Sequence, residues 1–127
     1  MNTDEDHICA LIARWLDATH EGKVDEVLEL MAPDAIFLTA GQPPMQGHTA
    51  FADTLRHVLN DNVVESSSEI DEVEVAGDMA YCRSTLTVTV ISKHGKVPLR
   101  RTGHTLTILR KSADGKWRVT RDANMLA

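Results

Sequence analysis

The sequence has little of several residue types that would mark a specialised class of protein. Its 127 residues include two cysteines, Cys9 and Cys82, and these are too few and too far apart to build a disulfide framework. It contains two tryptophans, two phenylalanines and one tyrosine, so each aromatic side chain carries a large share of the apolar surface. The shortage of cysteine favours a reducing, cytoplasmic location.

Positive charge is also scarce. Thirteen Lys and Arg residues stand against nineteen Asp and Glu, which gives a formal net charge of −6, and the chain has no block of basic residues. Nucleic acid and anionic membranes need a positive footprint, so we expect neither as a partner. No apolar run approaches the ~20 residues of a membrane span. The start, MNTDEDH, is acidic, the opposite of a signal peptide.

The motifs of several common chemistries are missing. There is no GxGxxG or GxxxxGK[ST] phosphate loop and no GxSxG nucleophile elbow. The six histidines show no zinc-ligand spacing, so no metal site is predicted. We therefore expect no metal and no cofactor, which leaves acid–base chemistry or plain binding.

What is present is ordinary for a globular protein: 43% hydrophobic and 25% charged residues. The length predicts one domain, residues 1–127, with one core. Thr3 and Asp6 form a capping pair before a first amphipathic helix, which ends near Gly22. A second, shorter helix follows and is stopped by Pro33, so the first two helices make a hairpin.

The segment from Ala32 to Phe51 predicts the mouth of a pocket. Ala35–Thr39 is short, apolar and typical of a strand. A loop rich in Gly and Pro follows, and helical periodicity resumes after Gly47. Strand, loop and helix therefore meet at one place.

Between Val63 and Met125 the pattern predicts four strands. The turns at Gly77-Asp78, His94-Gly95 and Asp114-Gly115 are short, which favours an antiparallel meander. The first of these strands is acidic and is typical of a solvated edge strand. The whole chain then has the order ααβα-ββββ, an α+β fold in which helices cover one face of a curved sheet.

Alternation assigns the strand faces. Cys82 and Leu86 share one face of the strand Tyr81–Ile91, while Tyr81, Arg83 and a threonine row share the other. In the next strand, His104 is in phase with Leu106 and Ile108, which predicts that it faces the apolar side. In the last strand, Asp122 and Asn124 continue the polar phase of Arg118 and Thr120, unless a bulge shifts it.

His104 and Asp122 are the candidate catalytic residues. A histidine among apolar neighbours can act as acid or base near neutral pH, and an aspartate can exchange protons or stabilise charge. Asn124 would orient a polar group. The alternatives are a buried histidine satisfied by a backbone bond, and side chains that tie down the C-terminus.

Other side chains are candidates for ligand contact. Tyr81 and Arg83 could bind a carboxylate or phenolate, although their threonine-rich face is also typical of the outer surface of a sheet or of a dimer contact. Four apolar residues could form the wall of a ligand pocket, although the same residues could instead belong to the hydrophobic core. These residues are Trp15, Phe37, Met45 and Phe51.

The chain resembles the SnoaL-like and ketosteroid-isomerase-like branch of the nuclear-transport-factor-two-like superfamily. Three segments carry the likeness: WLDATHEGKVDEVLELMAPDAIF from Trp15 to Phe37, GQPPMQG from Gly41 to Gly47, and DGKWRVTRDAN from Asp114 to Asn124. The resemblance implies a cystatin-like cone, in which a strongly curved, mostly antiparallel sheet wraps around the long first helix. It also implies an apolar cavity and, in many members, a homodimer through the outer face of the sheet.

The resemblance implies different chemistry in different branches. Where ketosteroid isomerases carry an oxyanion tyrosine and a general-base aspartate, this chain has Trp15 and Thr39, so ordinary ketosteroid isomerase activity is not expected. SnoaL-like cyclases use a histidine and an aspartate from late strands, positions similar to His104 and Asp122.

Two hypotheses follow. In the first, the protein is a cofactor-independent isomerase, cyclase or dehydratase acting on a small, apolar carbonyl or hydroxy compound. In the second, it is a noncatalytic ligand-binding or dimerisation module. A polar-lined cavity above roughly 300 Å³ would favour the first, and a cone filled by side chains the second. We expect a homodimer in either case, because helices cover only one face of the sheet.

Overall fold

The structure, a computed structural model, describes residues 3–127, which form three helices and one six-stranded sheet. The helices are α1 (Asp4–Glu21), α2 (Val24–Glu29) and α3 (Gly47–Asp61). The strands are β1 (Met31–Thr39), β2 (Met45–Gln46), β3 (Asn62–Ala76), β4 (Met79–Ser92), β5 (Leu99–Lys111) and β6 (Trp117–Asn124).

The strand order in the sheet is β2-β1-β6-β5-β4-β3. Strands β3 to β6 pair as the predicted antiparallel meander, and the acidic strand β3 lies at an edge as predicted. β1 pairs in parallel with β6, which places the first and last long strands side by side. The α+β fold with a mostly antiparallel sheet is confirmed.

Two details differ from the expected order. A two-residue strand, β2, pairs with β1 just before α3. β1 also begins at Met31 rather than Ala35, because Met31 is buried and pairs with Val119 of β6. Pro33 falls where the β1–β6 register is irregular, so its missing N–H costs the ladder nothing.

Helix α1 is fixed at both ends. The side chain of Thr3 accepts a hydrogen bond from the Asp6 amide at 3.1 Å, and the Asp6 carboxylate accepts one from the Thr3 amide, so the predicted capping box is present. Gly22, with φ of 75°, ends the helix in the left-handed conformation. Asp4 also accepts hydrogen bonds from Lys111 and Trp117, which ties the helix start to the β5–β6 hairpin.

The core lies between the helices and the inner face of the sheet. Ile8 of α1, Val27 of α2 and Leu109 of β5 are fully buried within it. Full burial of such an aliphatic side chain stabilises the fold by about 1.5–3 kcal/mol. Helix α1 packs on β3, and α3 packs on β1, so the opposite face of the sheet carries no helix within residues 3–127.

A β-bulge in β6 changes which side chains face inward. Ile108 pairs with Arg121, but the next residue, Leu109, pairs with Val119, so Thr120 is the extra residue. Beyond the bulge, Asp122 points to the same side as the buried Val119. A bulge that shifts the side-chain alternation of β6 is therefore present. Because of it, the Asp122 side chain faces the interior, whereas unbroken alternation would place it on the polar side with Arg118 and Thr120.

The predicted orientation of His104 is wrong. Thr105 and Thr107 are the buried residues of this part of β5, whereas His104 is exposed and Leu106 is 42% exposed. Hydrophobic alternation misassigned the faces because the interior here is lined by hydroxyl groups and the outer face carries apolar side chains.

Candidate functional site

A cavity of about 240 Å³ lies between α1 and the inner face of the sheet, near the end where β1 and β6 finish. It is smaller than the roughly 300 Å³ expected of a typical ligand site. It is not filled by side chains, and an apolar protein cavity of about 150 Å³ can hold benzene. The lining residues are Ile12, Trp15, Leu16, Phe37, Thr39, Met45, Phe51, Ser68, Ser84, Leu86, Thr105, Thr107, Val119, Asp122 and Asn124.

One wall of the cavity is aromatic. Ring centroids lie 6.0 Å apart for Trp15 and Phe37, 5.6 Å for Trp15 and Phe51, and 4.8 Å for Phe37 and Phe51. Met45, from the short strand β2, lies beside them. The four predicted wall residues are therefore brought together, and their rings, inclined to each other by 35° to 73°, form an apolar wall that a ligand ring can pack against.

The opposite wall is polar and consists of three side-chain pairs joined across neighbouring strands. Its six members are Ser84–Thr105 (2.6 Å), Thr107–Asp122 (2.6 Å) and Asn124–Thr39 (3.3 Å). Strand register explains this wall, because Ser84 pairs with Thr105 and Thr107 pairs with Asp122 across the ladder. The polar wall of the cavity therefore offers hydroxyl, carboxyl and amide groups to a ligand.

Sequence reasoning found Asp122 and Asn124 but missed the hydroxyls of the polar wall. Serine and threonine on strands are usually read as solvent-facing, and Ser84, Thr105 and Thr107 are buried. The alternation of β5 gave no usable signal, because Leu106 and Ile108 favour the opposite phase, and the structure shows that the buried Leu109 shares the phase of the two threonines.

Among residues 3–127, Asp122 is the only ionisable side chain that lines the cavity. Burial raises the pKa of its carboxyl above the ordinary value, and the hydrogen bond from Thr107 opposes that rise. One carboxylate oxygen accepts the Thr107 bond. Within residues 3–127 the other makes no side-chain hydrogen bond, so it is free to act on a ligand.

His104, Tyr81 and Arg83 do not reach the cavity. His104 and Tyr81 lie on the outer face of the sheet, on β5 and β4. The Arg83 guanidinium donates to Glu72 at 2.9 Å and lies 3.7 Å from Asp71, both on the acidic edge strand. The structure therefore separates His104 from Asp122, and the ligand contacts predicted for Tyr81 and Arg83 are corrected.

A larger depression, of about 650 Å³, lies between α2 and α3, but it is an open surface groove. Its charged side chains are already engaged, since Arg56 donates to Asp25 at 3.1 Å and Lys23 lies 2.9 Å from Glu21. The smaller, better enclosed cavity is therefore the candidate site.

The described residues show three further features. Within residues 3–127, no group of three or more His, Cys, Asp or Glu side chains is placed to hold a metal ion. Cys82 is buried, and burial raises the pKa of its thiol to about 11, so it is a poor nucleophile near neutral pH. No helix in the described range has the length and hydropathy of a membrane span.

Comparison with known proteins gives a consistent result. A family model of the SnoaL-like domain matches residues 12–120. A conserved protein from Planctomyces limnophilus is 31% identical with a TM-score of 0.94, and the match covers 98% of this chain and 96% of that one. A ketosteroid isomerase-like protein from Erwinia carotovora is 25% identical with a TM-score of 0.85, over 99% and 98% of the two chains.

A more distant structure supports the fold alone. A scytalone dehydratase-like protein from Novosphingobium aromaticivorans is 15% identical with a TM-score of 0.88, and the match covers 98% of this chain and 84% of that one. No curated protein matches the sequence.

Proposed function

This chain belongs to the SnoaL-like domain family, and from that premise we propose that its cavity binds a small, neutral, ring-containing carbonyl or hydroxy compound and that Asp122 transfers a proton on it. The observation that carries the proposal is the contrast between the two walls. A planar apolar ring fits against Trp15, Phe37 and Phe51, while its oxygen meets the hydroxyl, amide and carboxyl groups opposite.

The electrostatics of the cavity favour a neutral ligand. Its lining contains no Lys, Arg or His within the described chain, so an anionic ligand would find no counter-charge. An anion would also be repelled by Asp122 whenever that carboxyl is ionised. The volume of about 240 Å³ favours a single substituted ring over a fused polycyclic skeleton.

The single carboxyl limits the reaction class. An enzyme with one acid–base group must recover the proton that it gives or takes before the next turnover. Isomerisation by proton shift and elimination of water both meet this condition, because a carboxylate that removes a proton from carbon can return it to another atom of the same substrate. Hydroxyls of the polar wall, with Asn124, would hold the substrate oxygen during the transfer.

The first experiment is to identify what the purified protein carries, by native mass spectrometry. The second uses a panel of single-ring aromatic ketones in heavy water, with proton–deuterium exchange next to the carbonyl followed by NMR. We expect exchange above the buffer rate for at least one ketone, and Asp122→Asn should remove it while leaving binding nearly intact. A well-placed general base contributes about 10²–10⁴-fold.

A matched control separates this site from the outer face. His104→Gln should leave the exchange rate unchanged, because His104 lies outside the cavity. Binding of a ketone without any Asp122-dependent exchange would favour the alternative, a noncatalytic ligand-binding module. Tighter binding of the matched benzoate than of the ketone would contradict the proposal that the cavity selects neutral ligands.

A further inference from the structure

Asp122 belongs to one row of side chains that crosses the inner face of the sheet. Strand register pairs it with Phe37 of β1 on one side and with Thr107 of β5 on the other. Cys82 of β4 follows Thr107 in the same row. Phe37, Thr107 and Cys82 are all buried. The carboxyl of Asp122 therefore has an aromatic ring on one side and a hydroxyl on the other.

Thr107 makes the only side-chain hydrogen bond of Asp122 within residues 3–127. Its hydroxyl donates to Oδ1 of the carboxylate at 2.6 Å. A threonine hydroxyl has a single proton, so Thr107 has no donor left for a ligand while it makes this bond. Although Thr107 lines the cavity, its hydroxyl therefore acts on Asp122 rather than on a ligand.

Thr105, two residues earlier on the same face of β5, is arranged differently. Its hydroxyl oxygen lies 2.6 Å from that of Ser84. This pair has two hydroxyl protons and uses one of them in the shared bond, so the other can be donated to a ligand oxygen. The two buried threonines of β5 are therefore suited to different tasks.

The Thr107 bond also fixes the direction of the second carboxylate oxygen. Oδ1 of Asp122 is turned toward β5, where Thr107 lies. The two oxygens lie on opposite sides of the carboxyl carbon, so Oδ2 is turned toward β1. Phe37 lies on that side, as part of the aromatic wall. A ligand ring packed on this wall would therefore approach Asp122 from the side of Oδ2.

We propose that Thr107 is a positioning residue for Asp122: its hydroxyl holds one carboxylate oxygen and directs the other toward a ligand on the aromatic wall. This inference rests on the proposed function, in which Asp122 transfers the proton. The torsion that rotates an aspartate carboxyl is broad, so the group needs a partner to keep one orientation. A catalytic group that is held in its productive geometry reacts faster than one that must find it.

The same bond acts on the ionisation of Asp122. Burial raises the pKa of the carboxyl, and the Thr107 bond opposes the rise because it favours the charged form. Among residues 3–127, α1, β1, α3, β4 and β5 bring no charged side chain into the lining. The Cys82 thiol stays protonated near neutral pH, since burial raises its pKa to about 11. Loss of the Thr107 hydroxyl should therefore raise the pH at which Asp122 ionises.

The first measurement is an NMR titration of the Asp122 carboxyl in the free protein, with Asp122→Asn used to assign the signal. Thr107→Val keeps the size of the side chain but lacks the hydroxyl. It should raise the midpoint by about one pH unit or more, since a hydrogen bond to a charged group has about that strength. Thr107→Ser keeps the hydroxyl and should restore the parent midpoint.

The second measurement is the pH dependence of proton–deuterium exchange on a ketone that the parent exchanges. In Thr107→Val the profile should move upward together with the NMR midpoint. Its plateau at high pH should stay about tenfold below that of the parent, because the ionised carboxylate is no longer held in one direction. KM should change less than kcat, since the ligand ring still packs on the aromatic wall.

Thr105→Val is the matched control. It makes the same chemical change at an equally buried position of the same strand, but the hydroxyl that it removes bonds Ser84. The Asp122 midpoint should therefore stay at the parent value, whatever happens to ligand binding. Circular dichroism checks the fold of each variant. Thr107→Ala removes the same hydroxyl as Thr107→Val and should give the same rise in the midpoint if the valine variant does not fold.

Several results would overturn the inference. An unmoved Asp122 midpoint in Thr107→Val, or an equal rise in Thr105→Val, would leave Thr107 with a purely structural role. Full recovery of the parent rate on the plateau would show that Thr107 changes ionisation without positioning the carboxylate.

The failure of the proposed function has a different signature. Absence of exchange in the parent would contradict the proposed function and, with it, the positioning role. Loss of exchange in Asp122→Asn together with parent-like behaviour of Thr107→Val would contradict the inference alone.

Discussion

Gly103 allows the C-terminal tail to lie against β5, and replacing it by alanine should free that tail. A Cβ atom added to Gly103 would lie 2.6 Å from the Met125 carbonyl carbon and 2.9 Å from the Leu126 Cα. Both contacts are with backbone, so no side-chain rotation relieves them. In Gly103→Ala the tail must therefore move away from the strand.

The cost follows from the hydrogen bonds that hold the tail. The Met125 amide donates to the His104 carbonyl at 2.8 Å, and Thr102 and Ala127 exchange two bonds at 3.2 and 3.3 Å. Each backbone bond contributes about 0.5–1.5 kcal/mol net, and alanine in a strand recovers about 0.5–1 kcal/mol relative to glycine. For the three bonds together, the free energy of unfolding should fall by about 0.5–4 kcal/mol.

Urea unfolding of four proteins measures this effect: the parent, Gly103→Ala, a variant that ends at Asn124, and the combination of the two. Removal of the tail should destabilise the parent by a similar amount, since it removes the same three hydrogen bonds. In the shortened chain, Gly103→Ala should be neutral or stabilising, because nothing remains for the new methyl group to meet. An equal loss in both backgrounds would refute the reasoning and place the cost within β5 itself.

Three further outcomes are expected. Burial raises the pKa of the Asp122 carboxyl, so its ionisation destabilises the folded state as the pH rises above the ordinary pKa of about 4. In thermal unfolding, Asp122→Asn should therefore have a higher melting temperature than the parent at about pH 7. This difference should disappear near about pH 3, where the carboxyl is protonated in both states. The Arg118 guanidinium holds the pKa of Asp114 at about 2, so Asp114→Asn should lower the melting temperature at neutral pH, a difference that shrinks as the pH falls from about 4 toward 2. No turnover of a Δ5-3-ketosteroid above background is expected in an absorbance assay, because the family resemblance aligns Trp15 and Thr39 with the oxyanion tyrosine and the general base of ketosteroid isomerases.

The sequence predicted the fold well where local chemistry determines it. Gly77, Gly95 and Gly115 all adopt positive φ at the turns that their position between strands predicted. The capping pair of α1 and the charged edge strand β3 were predictable for the same reason, since each follows from residue types a few positions apart.

The site was harder to predict because it inverts the usual pattern of a strand. In β5 the apolar Leu106 is on the outer face and the hydroxyls of Thr105 and Thr107 line the interior, so hydrophobicity assigned His104 to the wrong side. In β6 the bulge at Thr120 shifts the phase by one residue, and no residue type in that strand required a bulge. Position in the chain identified Asp122, whereas its partner Thr107 required the strand register.

The parallel pairing of β1 with β6 also has a consequence for how the protein is made. Phe37 pairs with Asp122, and Thr39 with Asn124, residues 85 positions apart in the chain. During synthesis at about 5–20 residues per second, the aromatic wall is complete several seconds before its polar counterpart leaves the ribosome. The nascent protein therefore exposes Trp15, Phe37 and Phe51 before β6 is available, and the cavity cannot be complete until β6 pairs with β1.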